Sequence, residues 1–257
     1  MNISLRQIYL NILIISLMVL TVSCLENPSG TDEQRYSHKL NPGISANDFL
    51  SDERFTKLEV ELDYMQGYAP NADALDSLEA FLERRLNKVS VSILQPTEIP
   101  AAGQVSYTAT DIRNLEAKHR NEFTRDSTLS AYMIIVDSHY KDGNVLGIAY
   151  YNTSSAFFGG TYDDVSGGFN EPSRRLTESI SYRHEFGHLL GLVNIPNSGT
   201  NMQTNHQDTD HGHHCTNNSC LMYFAMEQAG LFDQFFGESI PALDENCIAD
   251  LRGNGGR

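Results

Sequence analysis

The sequence predicts an α/β fold with a mixed sheet, and three observations carry that expectation. Short alternating or wholly apolar segments recur between helical patterns. Their order is strand, helix, strand, helix, strand, strand, then one long helix. The 257 residues, 40% hydrophobic and 20% charged, have the balance of an ordinary globular chain able to bury a sizeable core.

Lys57 to Met65 sets Leu58, Val60, Leu62 and Tyr64 on one side, the period-two pattern of a half-buried strand. Asn71 can cap a helix running to about Asn87, with Leu75, Leu78, Leu82 and Leu86 at helical spacing. Val89 to Ile93 alternates again and is stopped by Pro96. A second helix is expected from Thr110 or Asp111, carrying Ile112, Leu115 and His119. Ala131 to Val136 is continuously apolar, which predicts a strand central in the sheet. After the turn Lys141-Asp142-Gly143-Asn144, Val145 to Tyr151 reads as a further strand. Pro172-Ser173 then opens a long helix, buried through Leu176, Ile180, Phe186, Leu189 and Leu190 and stopped by Gly191.

Residues ahead of the fold have a different character. Arg6 is the only charge before an apolar run from Ile8 to Val22, too short for a membrane span and suited to a signal-peptide core. Ser23-Cys24 after it resembles the bacterial lipobox, with Thr21 standing where Leu or Val is usual. That resemblance implies a signal peptide over 1–23, a lipid anchor on Cys24 and an exported, membrane-tethered protein of the bacterial cell envelope. Residues 24–55 are polar at their start and lack periodicity, so they are expected to form a tether. Removing residues 1–23 leaves 17 basic against 33 acidic side chains, a net charge of −16, which argues against nucleic acid as a partner. In an oxidising compartment the close pair Cys215 and Cys220 is expected to form a disulfide, leaving Cys247 over.

The chemistry is concentrated in His184-Glu185-Phe186-Gly187-His188. Two histidines four apart lie one turn from each other on one helix face. They can reach one zinc ion at about 2.0–2.1 Å each. Glu185, one residue on from the first, sits beside the metal and can act as general base towards a water that the metal makes acidic. Such a pattern arises by chance in about one chain in a hundred of this length, and rarely on a good helix near the end of an α/β layout.

With Gly191 the stretch reads His-Glu-x-x-His-x-x-Gly and resembles the metzincin zinc peptidases. In that family a third His follows three residues after the Gly, but Asn194 stands there in this chain, and an amide oxygen is a poor zinc ligand. Four histidines come later: His206, His211, His213 and His214. The run from His214 through Cys215 and Cys220 to Met222 is similar to the archaemetzincin order of third His, Cys, Cys and turn Met. The resemblance implies an insertion of 20 residues, counted from position 194 to 214, with His214 as third ligand and Met222 beneath the metal. His206, His211, His213 and Asn194 stay open as alternatives. Archaemetzincins add a Cys-x-x-Cys that holds a second zinc; this chain has only Cys247 there, so one zinc ion and no second site are expected. The segment from Ser181 to Ala225 also resembles bacterial lipoproteins termed membrane metalloproteases.

The resemblance further implies a peptidase domain over 56–257: an upper part to about 191 with a twisted sheet and backing helices, and a small irregular lower part ending in a helix over Pro241–Leu251. Val145 to Tyr151 would be the edge strand that pairs with an extended substrate, and Tyr223 a candidate for oxyanion stabilisation. The function expected is a zinc endopeptidase acting on protein or peptide substrates. A non-catalytic zinc-binding lipoprotein is the alternative, which Glu185 argues against because a purely structural site needs no base. Hydrolysis of a non-peptide amide by the same chemistry is a third.

Overall fold

The computed structural model describes residues 36–169, 171–193, 206–229 and 239–257. The leader with Cys24, the tether up to residue 35, and Asn194 lie outside the described residues. Strand β1 (Lys57–Met65) coincides with the expected alternating segment. Along one edge it pairs in parallel with β2 (Ser90–Ile93) and then β3 (Thr97–Ile99). A short β4 (Ser106–Tyr107) precedes β5 (Thr128–Val136), which pairs in parallel along the other edge of β1. Beyond a short β6 (His139–Tyr140), which joins β4, come β7 (Gly147–Tyr151) and β8 (Ser154–Phe158). Strand β8 continues the sheet in parallel with β5, and β7 closes it as an antiparallel edge.

The layering follows from the pleat. Along β5, Ala131, Met133 and Ile135 enter one apolar cluster while Tyr132, Ile134 and Val136 enter a second on the opposite face. Both faces are covered, which is why this strand is apolar without alternation. After a short helix α1 (Ala46–Leu50), helix α2 (Ala72–Arg85) covers the first face through Ala74, Leu78, Phe81 and Leu82. The Asn71 side chain caps α2 by accepting from the Ala74 amide at 3.3 Å. On the second face lies α3 (Ala109–His119). It starts earlier than expected because Thr108 and Asp111 form a capping box: Thr108 N–H donates to Asp111 Oδ2 at 2.8 Å, and Asp111 N–H donates to Thr108 Oγ1 at 3.2 Å.

Two further departures have physical reasons. Residues 36–55 are not a loose tether. Phe49 and Leu50 of α1 are fully buried, worth about 1.5–3 kcal/mol each. Asn152 ties the stretch down through Leu40 N–H at 2.9 Å and Ser37 O at 2.9 Å. Anchors this sparse leave no periodic signal. Strand β8 escaped notice because Ser154-Ser155-Ala156 looks like a loop. Its hydroxyls are buried, and Ser154 is satisfied by the Glu116 carboxylate at 2.9 Å, itself paired with Arg120 at 2.7 Å.

A helix α4 (Gly159–Val165) leads to the long α5 (Arg174–Leu189), capped by Ser173 accepting from Leu176 N–H at 3.2 Å. Gly191 at φ 79° ends it in the left-handed region, as expected. The lower part holds a small antiparallel pair, β9 (Gln207–Asp208) and β10 (His214–Cys215), then a 3-10 turn over Phe224–Met226. The final helix, α6 (Glu245–Gly253), is capped by Asp244 and buries Cys247 and Leu251. Among the described residues no helix is long and apolar enough to cross a membrane.

Candidate metal centre

Helix α5 packs between α2 and the β7–β8 edge, so its His-bearing turn is buried: His184 and Glu185 are 0% and 1% exposed. The helix spacing brings the His184 and His188 rings to 5.0 Å centroid separation. β10 adds His214, whose ring stands 5.3 Å from His184 and 5.1 Å from His188. The ring nitrogens are set by their second contacts. A carbonyl can only accept, so His184 Nδ1–H donates to Leu221 O at 2.8 Å and His214 Nδ1–H donates to His211 O at 3.0 Å. That leaves both Nε2 atoms with free lone pairs turned inward, the arrangement that orients imidazole ligands.

The spacing suits a metal. Two nitrogens each about 2.05 Å from a tetrahedral ion stand about 3.3 Å apart. His184 Nε2 and His214 Nε2 are 3.3 Å apart. A carboxylate that the sequence did not single out, Glu227, places Oε2 at 3.7 Å from His184 Nε2, 3.7 Å from His188 Nε2 and 3.4 Å from His214 Nε2. The four residues form one group able to hold a metal ion. Only folding identifies Glu227, which is 39 positions from His188 in sequence and lies just past the turn that follows Met222.

Burial pulls His188 down to about 4, with His184 and His214 adding to the effect against Glu227. Burial raises Glu227, but contacts with the three histidines outweigh it and hold the carboxyl far below the ordinary range. Glu185 is pushed well above its usual value by burial and by the Glu227 charge, against a hydrogen bond from the Ala149 amide. Its Oε2 is buried without a hydrogen-bond partner. Strand β7 runs directly over it: a Cβ on Gly147 would stand 2.9 Å from Glu185 Cγ.

Met222 is fully buried against the same helix turn. A Cβ on Gly187 would stand 2.2 Å from Met222 Sδ, so the glycine between Glu185 and His188 is what lets the methionine lie under the histidines. Gly187→Ala is therefore expected to displace Met222 or the helix and to lower the melting temperature of the protein by several degrees, as overpacking costs about 1–3 kcal/mol. Thermal denaturation followed by circular dichroism measures it.

The remaining histidines fall elsewhere. His211 stacks on Phe224 at 4.0 Å and contacts Asp208 at 2.8 Å, half-exposed. His213 takes φ 67° and contacts Gln207. His206 belongs to a second buried group with Cys215, Asp244 and Cys247, all ligand atoms lying within 4.8 Å of one another. Two expectations are corrected here. Cys215 and Cys220 are free thiols, not a disulfide, and the supposedly spare Cys247 lies with them, its Sγ 3.6 Å from Cys220 Sγ. Nor is a second metal-ligating cluster lacking. Its fourth donor type is imidazole: His206 Nδ1 is 3.4 Å from Cys215 Sγ, while its Nε2 contacts the buried Asp250 at 2.7 Å. The second Cys of a Cys-x-x-Cys would fall at position 250, which helps to explain why the sequence concealed this cluster. Tyr223 is half-buried with its ring 4.7 Å from Phe224.

No family model matches the sequence, and no curated protein is similar to it by sequence. The fold is nevertheless known. The chain superposes on the crystal structure of archaemetzincin from Methanopyrus kandleri with a TM-score of 0.51 and 16% identity, covering 79% of this chain and 96% of that one.

Proposed function

The chain has an archaemetzincin-like metallopeptidase fold, and we propose that it is a zinc-dependent endopeptidase. The observation that carries the reading is the convergence of His184, His188 and His214, with the His184 and His214 Nε2 atoms at tetrahedral spacing, beside a buried Glu185 with one oxygen unpartnered. Zinc held by the three Nε2 atoms would supply an acidified water and a polarised peptide carbonyl. Glu185 takes the proton of the attacking water and delivers it to the leaving amine. The Ala149 amide holds one of its oxygens in place. Leu221 and His211 carbonyls hold the rings of His184 and His214 in the ligating tautomer. An extended substrate adds to β7, the outer strand of the sheet among the described residues, where main-chain hydrogen bonds give affinity without demanding sequence.

The test is cleavage of an unfolded protein by the mature chain: activity abolished by a zinc chelator and restored by zinc supports the proposal. A protein that retains zinc yet cleaves no unfolded protein or peptide favours the second reading, a non-catalytic zinc-binding protein, whose support is the fourth potential ligand Glu227.

The proposal includes a second ion, held by His206, Cys215, Cys247 and Asp244. Thiolate and imidazole donors select zinc, and Asp250 behind His206 is the carboxylate that commonly orients such a ligand. That ion would tie α6 to β10 in place of a disulfide. Metal analysis is expected to return two zinc ions per chain and Cys247→Ser about one; a disulfide found between any two of the three cysteines contradicts it. Export and a lipid anchor on Cys24 remain part of the proposal, supported by the leader sequence.

A further inference from the structure

The turn that carries Glu227 is bonded to the residues just ahead of β7. Val145 and Gln228 form an antiparallel bridge. Leu146 N–H donates to Glu227 O at 2.8 Å, and Ala229 N–H donates to Asn144 O at 3.0 Å. Residues 144–146 run straight into β7, the edge strand that crosses Glu185 at Gly147. One antiparallel bridge flanked by two backbone hydrogen bonds thus docks residues 227–229 against residues 144–146. The same residues send the Glu227 carboxylate to the metal centre.

Two independent features therefore meet at Glu227. Its backbone is fixed to the cleft edge by hydrogen bonds that a metal does not influence. Its Oε2 stands 3.4–3.7 Å from all three Nε2 atoms, close to the roughly 3.3 Å separation of neighbouring vertices in a tetrahedron of such ligands. The side chain is 23% exposed, so it covers the centre from the solvent side.

We propose that Glu227 is the fourth protein ligand of the resting zinc centre, and that its carboxylate is an internal plug a substrate must displace. This rests on the peptidase reading above for its consequence, though not for its geometry. A catalytic zinc site keeps one position open, whereas four protein ligands make a closed one. The carboxylate fills the position that a water or substrate carbonyl would take. Its charge also faces Glu185 across the site. Entry of substrate would exchange Glu227 for the carbonyl, so the resting protein binds metal more tightly and turns over more slowly than its three histidines alone would.

Glu227→Gln tests the ligand and Gln228→Ala, at the adjacent position, serves as control. Zinc affinity is measured by competition with a chromophoric chelator on the full mature chain, and the cobalt-substituted protein is examined by visible absorption. Glu227→Gln is expected to weaken zinc binding at this site by at least about tenfold and to alter the cobalt spectrum, with Gln228→Ala unchanged in both. At saturating zinc, KM for an unfolded-protein substrate is expected to fall. Unchanged affinity and cobalt spectrum in Glu227→Gln overturn the ligand assignment. A changed affinity and spectrum with a KM that does not fall overturn the plug. If affinity and spectrum change as expected but neither wild type nor variant cleaves any peptide, the ligand assignment stands and the peptidase reading fails.

Discussion

Glu185→Gln is expected to reduce peptide cleavage by about 10²–10⁴-fold while the protein stays folded and keeps its zinc. Glutamine preserves the length and one carbonyl oxygen, so the contact with the Ala149 amide survives. Burying a neutral amide where a buried carboxylate stood removes a desolvation cost, and stability should not fall. What is lost is the proton acceptor. KM should change little, because Glu185 lies beside the metal rather than in the substrate-pairing edge. Steady-state kinetics on an unfolded-protein substrate, with zinc content determined on the same sample, reads both effects. Cleavage at the wild-type rate would remove Glu185 from the mechanism.

The second large effect separates two histidines that the sequence left as rivals. His214→Ala is expected to strip zinc from the centre on α5, weakening binding by about 10²-fold or more and abolishing activity, while the thiol cluster keeps its ion. His206→Ala should do the reverse. It breaks the contact with the buried Asp250, disturbs the packing of α6 against β10, and leaves the His184–His188–His214 centre loaded. Metal analysis of the two variants is the measurement. Zinc lost from the α5 centre in His206→Ala but retained in His214→Ala would contradict the assignment of both.

Much of this architecture was legible because it follows period or spacing. β1 alternates, α2 repeats leucines behind an Asn cap, and α5 carries two histidines and a glutamate on a helix that Gly191 must end. β8 was illegible because serines buried on both faces imitate a loop, and the order of strands across the sheet cannot be read from any one of them. The site divides in the same way. His184, Glu185 and His188 are local and visible. His214 was singled out among four histidines by the archaemetzincin-like register with Cys215, Cys220 and Met222, and folding brings it beside the helix pair. Glu227 has no local signature, since it reaches the centre from a turn that one bridge fastens to residues 144–146. The thiol cluster was misread for a physical reason too. Two cysteines five apart suggest a short loop closed by a bond, and nothing in the spacing shows that Cys247 and His206 arrive beside them.

The function depends on where zinc sits. Anomalous diffraction at the zinc edge, from crystals of the mature zinc-loaded chain, tests it most directly. The expected result is a peak about 2.0–2.1 Å from Nε2 of His184, His188 and His214. A peak coordinated instead by His211 or His213, or none on α5 at saturating zinc, would contradict it.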